Sequence, residues 1–329
     1  MPVRLGFIGC GSHARTNLYP CLRLATDCEL IAVADLWEQH RAYCQRHFGA
    51  RRAYADFRAL LDAERGNLDG MIVCGPPALH HEASLAALGA GLPVLCEKPP
   101  ATTLAQTVEL RDAARAAGRV MMVAFMKRFA QKYALAAEIA RRPEFGRRTH
   151  CAITYSYRVK ADVRTTLTMM CVHAIDLMRH FMGDPLRLAV ERRDWGGHTS
   201  FAVQFAFPGG GTGSLTMNAT AAYVTERLEL TGEGAAVVVD EVADLRYYPP
   251  GGGAWAAPAF EGRSPNVALQ TPENSSAELQ GYASEVRAFV DCVRTGAPPP
   301  HATIDDAVEA MRVVEVLAAH ETGVHEIPR

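Results

Sequence analysis

Along residues 1–125, short apolar runs at 3–8, 30–34, 71–74, 93–96 and 120–125 alternate with longer stretches of helical period. Each run is apolar on both faces, as in central strands of a parallel sheet covered by helices on either side. The punctuation agrees. Thr103-Leu104-Ala105-Gln106 reads as a capping box, and Gly118 offers a left-handed residue to end the helix it opens. The β-α alternation predicts a doubly wound sheet.

After about residue 145 the rhythm changes. Strand-like runs at 148–157, 199–207, 213–219, 227–230 and 235–239 follow one another with few helices between, and Gly209-Gly210-Gly211 reads as a hairpin turn. A helix-period segment at 168–181 interrupts them early, and two more at 277–295 and 304–321 close the chain. These patterns predict an α/β domain at 1–125 and an α+β domain at 126–329 with an open, mostly antiparallel sheet. The closing helices are free to pack back on the first domain. The Gly-, Pro- and Ser-rich stretch 249–276 reads equally as a long loop or lid and as a disordered insertion. No internal repeat is found.

Composition narrows the function. A chain of 329 residues has room for two domains with proper cores. Lys and Arg number 34 against 36 Asp and Glu, a net charge of −2, which argues against nucleic-acid or membrane-surface partners because both need a concentrated basic face. No apolar run reaches the ~18–20 residues of a membrane span, and the start lacks a signal peptide's apolar segment. The 9 cysteines are scattered with no Cys-x-x-Cys pair, and Cys74 and Cys96 sit inside apolar runs. A cytoplasmic protein with reduced, buried thiols is the expectation. No His/Cys/Asp cluster has metal-ligand spacing, so no metal is expected.

Gly9-Cys10-Gly11-Ser12-His13-Ala14 fits G-x-G-x-x-G/A directly after the first strand and before a helical pattern. The first glycine permits a tight turn, and the second lets a pyrophosphate approach the backbone. Ala14 keeps the helix close to the sheet, whose N-terminal N–H groups receive the anion. Asp35 ends the second strand, placed to bind an adenosine ribose. A carboxylate there repels a 2′-phosphate, so NAD is expected over NADP. Leu36, also expected among the cofactor contacts, and Trp37 follow where an arginine would favour NADP, although Arg41 keeps NADP open. The bland alternative is that Asp35 simply caps the next helix.

Further segments carry a resemblance. Cys74-Gly75-Pro76-Pro77-Ala78-Leu79-His80, Cys96-Glu97-Lys98-Pro99-Pro100 and Met126-Lys127-Arg128-Phe129, together with the glycine loop and Asp35, resemble the Gfo/Idh/MocA oxidoreductases, which include inositol dehydrogenases and glucose–fructose oxidoreductase. The resemblance runs over essentially the whole chain. It implies a Rossmann domain followed by an open-sheet α+β domain. It also implies cofactor contacts at Cys10, Ser12, His13, Cys74, Gly75, Pro76, His80, Glu97 and Lys98. Lys98 lies beyond the carboxyl end of a parallel strand, where open α/β sheets place ligands. There its ammonium can hydrogen-bond a substrate hydroxyl and stabilise the alkoxide formed as hydride leaves.

In Met169-Met170-Cys171-Val172-His173-Ala174-Ile175-Asp176, the resemblance puts the catalytic histidine at His173, an imidazole suited to accept the hydroxyl proton. The family's aspartate four residues earlier is Met169 here, and Cys171 replaces the usual glycine. Thr166, seven residues before His173, shares its face on a regular helix and offers a hydroxyl. Met126, Lys127, Tyr155, Tyr157, Met169 and Met170 complete the expected substrate contacts with Lys98 and His173. The basic run around Arg158, Lys160 and Arg164 reads either as an anion site or as a solvated loop. The resemblance implies an NAD(P)-dependent dehydrogenase for a secondary alcohol of a sugar, cyclitol or related polyol, working as a homodimer or homotetramer through the C-terminal sheet. Two other readings stay open: a non-catalytic NAD(H)-binding regulator, kept alive by Met169, and an enzyme that never releases its nucleotide.

Overall fold

The computed structural model describes residues 1–250 and 277–328. The expected loop or lid at 249–276 therefore lies, but for its first two residues, outside the described residues. Two compact units divide the chain: Met1–Met126 with Gly281–Val308, and Lys127–Gln280 with Glu309–Arg329.

The first unit is built on six strands: β1 (Val3–Ile8), β2 (Cys28–Ala34), β3 (Arg52–Tyr54), β4 (Gly70–Val73), β5 (Val94–Cys96) and β6 (Met121–Val123). They are all parallel, in the order β3-β2-β1-β4-β5-β6. That order reverses direction between β1 and β4, and there the ends of both strands open a crevice for ligands. Leu5, Phe7, Met71, Val73, Val94 and Val123 are all buried, as the runs without alternation require. β3 escapes the hydrophobic pattern because it is a three-residue edge strand with Arg52 exposed.

The helix Leu104–Ala117 starts where expected, with the Thr103 hydroxyl accepting the Gln106 N–H at 3.3 Å, and ends at left-handed Gly118. The Gln106 side chain does not reach back to a backbone N–H. Its Oε1 accepts instead from the hydroxyls of Thr102 and Thr103. The helix Tyr282–Thr295 belongs to this unit and packs against β1. Its Ala283, Val286, Phe289 and Val290 recur at helical spacing and are buried, with Phe289 against Gly70. Burying a side chain of that size contributes about 2–3 kcal/mol.

The second unit is built on β7 (Arg148–Arg158), β8 (Arg187–Asp194), β9 (Thr199–Ala206), β10 (Thr212–Asn218), β11 (Thr220–Gly232), β12 (Ala236–Asp240), β13 (Asp244–Tyr248) and β14 (Thr322–Glu326). Their order is β13-β12-β11-β7-β10-β9-β8-β14, antiparallel throughout except where β10 runs parallel to β7. Period-2 alternation sends Ile153, Leu215 and Val203 in one cross-strand row, and Tyr155, Met217 and Phe201 in the next, to the buried face.

The helix Val172–Met182 packs on this sheet. It comes so close at Gly213 that a Cβ there would stand 2.7 Å from the Met178 sulfur. The hairpin turn expected at the three glycines joins β9 to β10, with Gly209 and Gly210 both at positive φ. Outward-facing Ala152, Thr154, Ala202, Gln204, Ser214 and Thr216 form a small, uncharged patch on the other face. β8 and β14 were not legible, since at this edge of the sheet charged and exposed residues outnumber buried ones.

Candidate active site

The glycine loop leaves β1 at a point where only glycine fits. Gly9 has φ +102°, and a Cβ on it would lie 1.7 Å from the carbonyl oxygen of Cys74, so the turns after β1 and β4 touch backbone to backbone. Around Gly11 a Cβ would meet nothing within 4 Å, which leaves the open approach a pyrophosphate needs. Ala14 is fully buried where the following helix begins, and Arg15 N–H already bonds to Gly11 carbonyl.

Asp35 ties this loop to the end of β2. Its Oδ2 accepts the Cys10 N–H at 2.7 Å and its Oδ1 the Trp37 N–H at 2.9 Å, with His40 Nδ1 at 3.4 Å. The carboxylate therefore organises the loop as well as facing the cleft. Arg41 turns to the carbonyls of Asp35 and Leu36, at 2.7 and 3.1 Å.

A cavity of about 540 Å³ opens beside these groups, within the range of small-molecule sites. Of the expected cofactor residues, Gly9, Gly11, Asp35, Leu36, Cys74, Gly75 and Pro76 line it. Cys10, Ser12, His13, Ala14, His80, Glu97 and Lys98 stand outside its lining. Trp37, His40, Phe57, Arg58, Leu79 and Glu82 also line it and were missed. Two of them, Phe57 and Arg58, open the helix after β3, and the hydrophobic pattern carried no sign of that strand. Together the open Gly11 turn, the carboxylate at the end of β2 and the crevice of this volume fit a dinucleotide.

His80 is buried and spans two loops. Its Nε2 accepts the Gly75 N–H at 2.8 Å, so Nδ1 carries the proton given to Pro99 carbonyl, also at 2.8 Å. Burial pushes its pKa down, which keeps the ring neutral in that tautomer. Next to it runs the Glu97-Lys98-Pro99 turn, with a cis Lys98–Pro99 bond. Glu97 is buried; its Oε1 meets His13 Nε2 at 2.9 Å and its Oε2 accepts the Lys98 N–H at 3.0 Å. Burial pushes the Glu97 carboxyl up, but His13 and the other neighbours more than offset this and leave it below the usual range. For the partly buried Lys98 ammonium, burial lowers the pKa against the opposing pull of Glu97. Cys74 and Cys96 are pushed up by burial, Cys96 to about 12, so both are protonated thiols.

In the second unit, the expected substrate residues fall into two groups. Lys127 is buried with its ammonium bonded to Glu226 at 2.6 Å and to Gln280 at 3.2 Å, and the Tyr133 hydroxyl completes Glu226 at 2.6 Å. Tyr155 and Tyr157 are also buried, with the Tyr157 hydroxyl 3.2 Å from the Cys171 sulfur. Met126, which falls in the first unit, is buried too. Met169 and Met170, by contrast, face outward from a wide turn.

That turn is a π-helical stretch, Leu167–Cys171, between the helical turns Val163–Thr166 and Val172–Met182. A π-turn carries one residue more than an α-turn, so the helix between Thr166 and His173 is not regular, and both residues are buried. The Thr166 hydroxyl is buried with no hydrogen-bond partner among the described residues. His173 is buried on the first turn of the helix Val172–Met182. Three residues on, Asp176 takes both arms of Arg128, at 2.8 and 2.7 Å. Glu226 and Tyr133 lie 99 and 93 residues apart from their partners in pairing, a separation that leaves no local signal. Among the described residues, no group of three or more His, Cys, Asp or Glu is placed to hold a metal.

A parallel sheet in this strand order, with a glycine turn and a carboxylate at the end of β2 lining the crevice and a second α/β unit in the chain, defines a dinucleotide-dependent oxidoreductase fold. Residues 3–125 match the oxidoreductase family's NAD-binding Rossmann fold, and residues 158–324 its C-terminal alpha/beta domain. The chain belongs to the Gfo/Idh/MocA oxidoreductase family.

It is 38% identical over 131 residues to D-glucoside 3-dehydrogenase of Escherichia coli K12, covering 39% of this chain and 36% of that protein. With inositol 2-dehydrogenase of Pseudomonas savastanoi pv. phaseolicola it shares 28% over 193 residues, 56% of each chain. These alignments span about half or less of those relatives. D-xylose 1-dehydrogenase (NADP(+)) 2 of Haloferax volcanii aligns over 97% of both chains at 26% identity. A dehydrogenase structure from Chromobacterium violaceum superposes with a TM-score of 0.87 over 97% of this chain and 95% of that one, at 23% identity, a likeness of fold.

Proposed function

We propose that this protein is an NAD(P)-dependent dehydrogenase acting on a secondary alcohol, or the corresponding ketone, of a sugar, cyclitol or related polyol. The carrying observation is the crevice at the β1/β4 switch point, where the Gly11 turn is open and Asp35 lines the wall; Lys98, outside that lining, follows the end of β5. Relatives named as glucoside, inositol and xylose dehydrogenases support the substrate class. A non-catalytic regulator finds no support among them.

When bound, the nicotinamide supplies the hydride acceptor or donor. Asp35 holds the adenosine ribose and disfavours a 2′-phosphate, and the Gly9–Ala14 turn receives the pyrophosphate. The Lys98 ammonium holds the substrate oxygen and stabilises negative charge on it, while His173 takes the hydroxyl proton. The Lys127 ammonium, expected at the substrate, is already engaged by Glu226. The small uncharged patch on the outer face of β7, β9 and β10 supports self-association into a homodimer or homotetramer. Among the described residues no helix is long and apolar enough to cross a membrane. We assign the protein to the cytoplasm.

Calorimetric titration of nucleotide-free protein with NADH and with NADPH is the test. Tighter binding of NADH is expected, followed by turnover with NAD on at least one member of a sugar and polyol panel. Preference for NADPH would overturn the role of Asp35, and binding of neither would overturn the enzyme.

A further inference from the structure

We infer that His13 is a positioning residue for Lys98: its hydrogen bond holds one oxygen of the buried Glu97 carboxylate, whose other oxygen takes the Lys98 backbone N–H. This rests on the role proposed above for Lys98. The glycine-loop pattern leaves His13's position unspecified, so a phosphate turn alone does not require an imidazole there.

The geometry supplies a reason. The Asn17 amide donates to His13 Nδ1 at 2.9 Å, which puts the ring proton on Nε2, aimed at Glu97 Oε1 at 2.9 Å. Tyr282 meets the His13 ring edge-on, with centroids 5.9 Å apart. The other Glu97 oxygen takes the backbone N–H of Lys98 itself. A carboxylate only 5% exposed is costly unless it is paired and hydrogen-bonded, and His13 is its side-chain donor among the described contacts.

Other titratable groups bear on this spot from each packed element. Cys74 stands at the end of β4, Cys96 at the end of β5, His80 on the helix Pro77–Gly89 and Tyr282 on the helix Tyr282–Thr295. Burial favours the neutral form of each: the two thiols and the phenol are pushed up, and His80 is pushed down. Among these groups, Glu97 is left with the Lys98 ammonium as its neighbouring cation and the His13 N–H as its side-chain donor.

Removing the His13 donor leaves Glu97 with one backbone N–H and favours its neutral form. Glu97 then no longer opposes the burial of Lys98, and the ammonium loses its proton at lower pH.

The experiment reads Lys98 directly. The full chain, free of nucleotide, is labelled with an amine-reactive ester across pH, and Lys98 modification is followed by mass spectrometry beside kcat/KM against pH. In His13→Leu, Lys98 is expected to label about tenfold faster than in wild type near pH 8, and the alkaline limb of kcat/KM is expected to move to lower pH. His13→Gln, which keeps an N–H within reach of Glu97, should return both toward wild type. Unchanged labelling in His13→Leu overturns the inference, as does a change that His13→Gln fails to reverse. If His13→Leu does not fold, His13→Asn, too short to reach Glu97, takes its place under the same criteria. Labelling needs no turnover. A wild type inert on every polyol would therefore sink the dehydrogenase reading, while the link from His13 to Lys98 is judged separately.

Discussion

The two units carry their candidate chemistry in different materials. In the first, backbone does most of the work: a glycine at φ +102°, carbonyl and N–H groups at strand ends, and one carboxylate that holds two of those N–H groups. In the second, side chains hold side chains across long stretches of sequence, as Lys127 holds Glu226 and Arg128 holds Asp176. Backbone chemistry needs particular residues at fixed short spacings, because turns are local. Buried ion pairs need only that two residues meet after folding, so the same chemistry leaves no short motif behind.

The largest expected effect tests the first unit. Lys98→Ala should lower kcat about a thousandfold or more while changing NADH affinity only a few-fold, since the lost charge is needed where the alkoxide develops. Steady-state kinetics beside calorimetry would check this, and an unchanged kcat would remove Lys98 from the chemistry.

A stability measurement tests the second unit. Arg128→Met leaves the Asp176 carboxylate buried without its two-armed partner and should cost about 3–5 kcal/mol in denaturant unfolding. A cost under about 1 kcal/mol would mean that the apolar face of the helix Val172–Met182 holds His173 by itself.

The smallest effect is expected from Met169→Asp. Met169 points outward from the π-turn, so an added carboxylate should change kcat by less than about tenfold. An inert wild type that gains turnover with this substitution would point to catalysis lost with the aspartate.

Much of the first unit could be read in advance. The Gly9–Ala14 turn, Asp35 and five of the six strands announced themselves through motif and apolar run, and the second sheet through alternation at β7, β9, β10, β11 and β12. What escaped was short or at or next to an edge, such as β3, β8, β13 and β14, where few buried residues mark the strand. The expectation for Thr166 rested on a regular helix. It assumed 3.6 residues per turn, and the wide turn at Leu167–Cys171 inserts one more.

Hydrophobic period and glycine punctuation are local properties, so the sequence by itself determined the class of fold, the glycine turn after β1 and the carboxylate at the end of β2. Tertiary structure alone decided that His80 is a neutral bridge, that Lys127 is spent on Glu226 and that His13 reaches Glu97. Those pairings depend on which distant groups are brought out of water together, and an unpaired charge is costly only once it is buried.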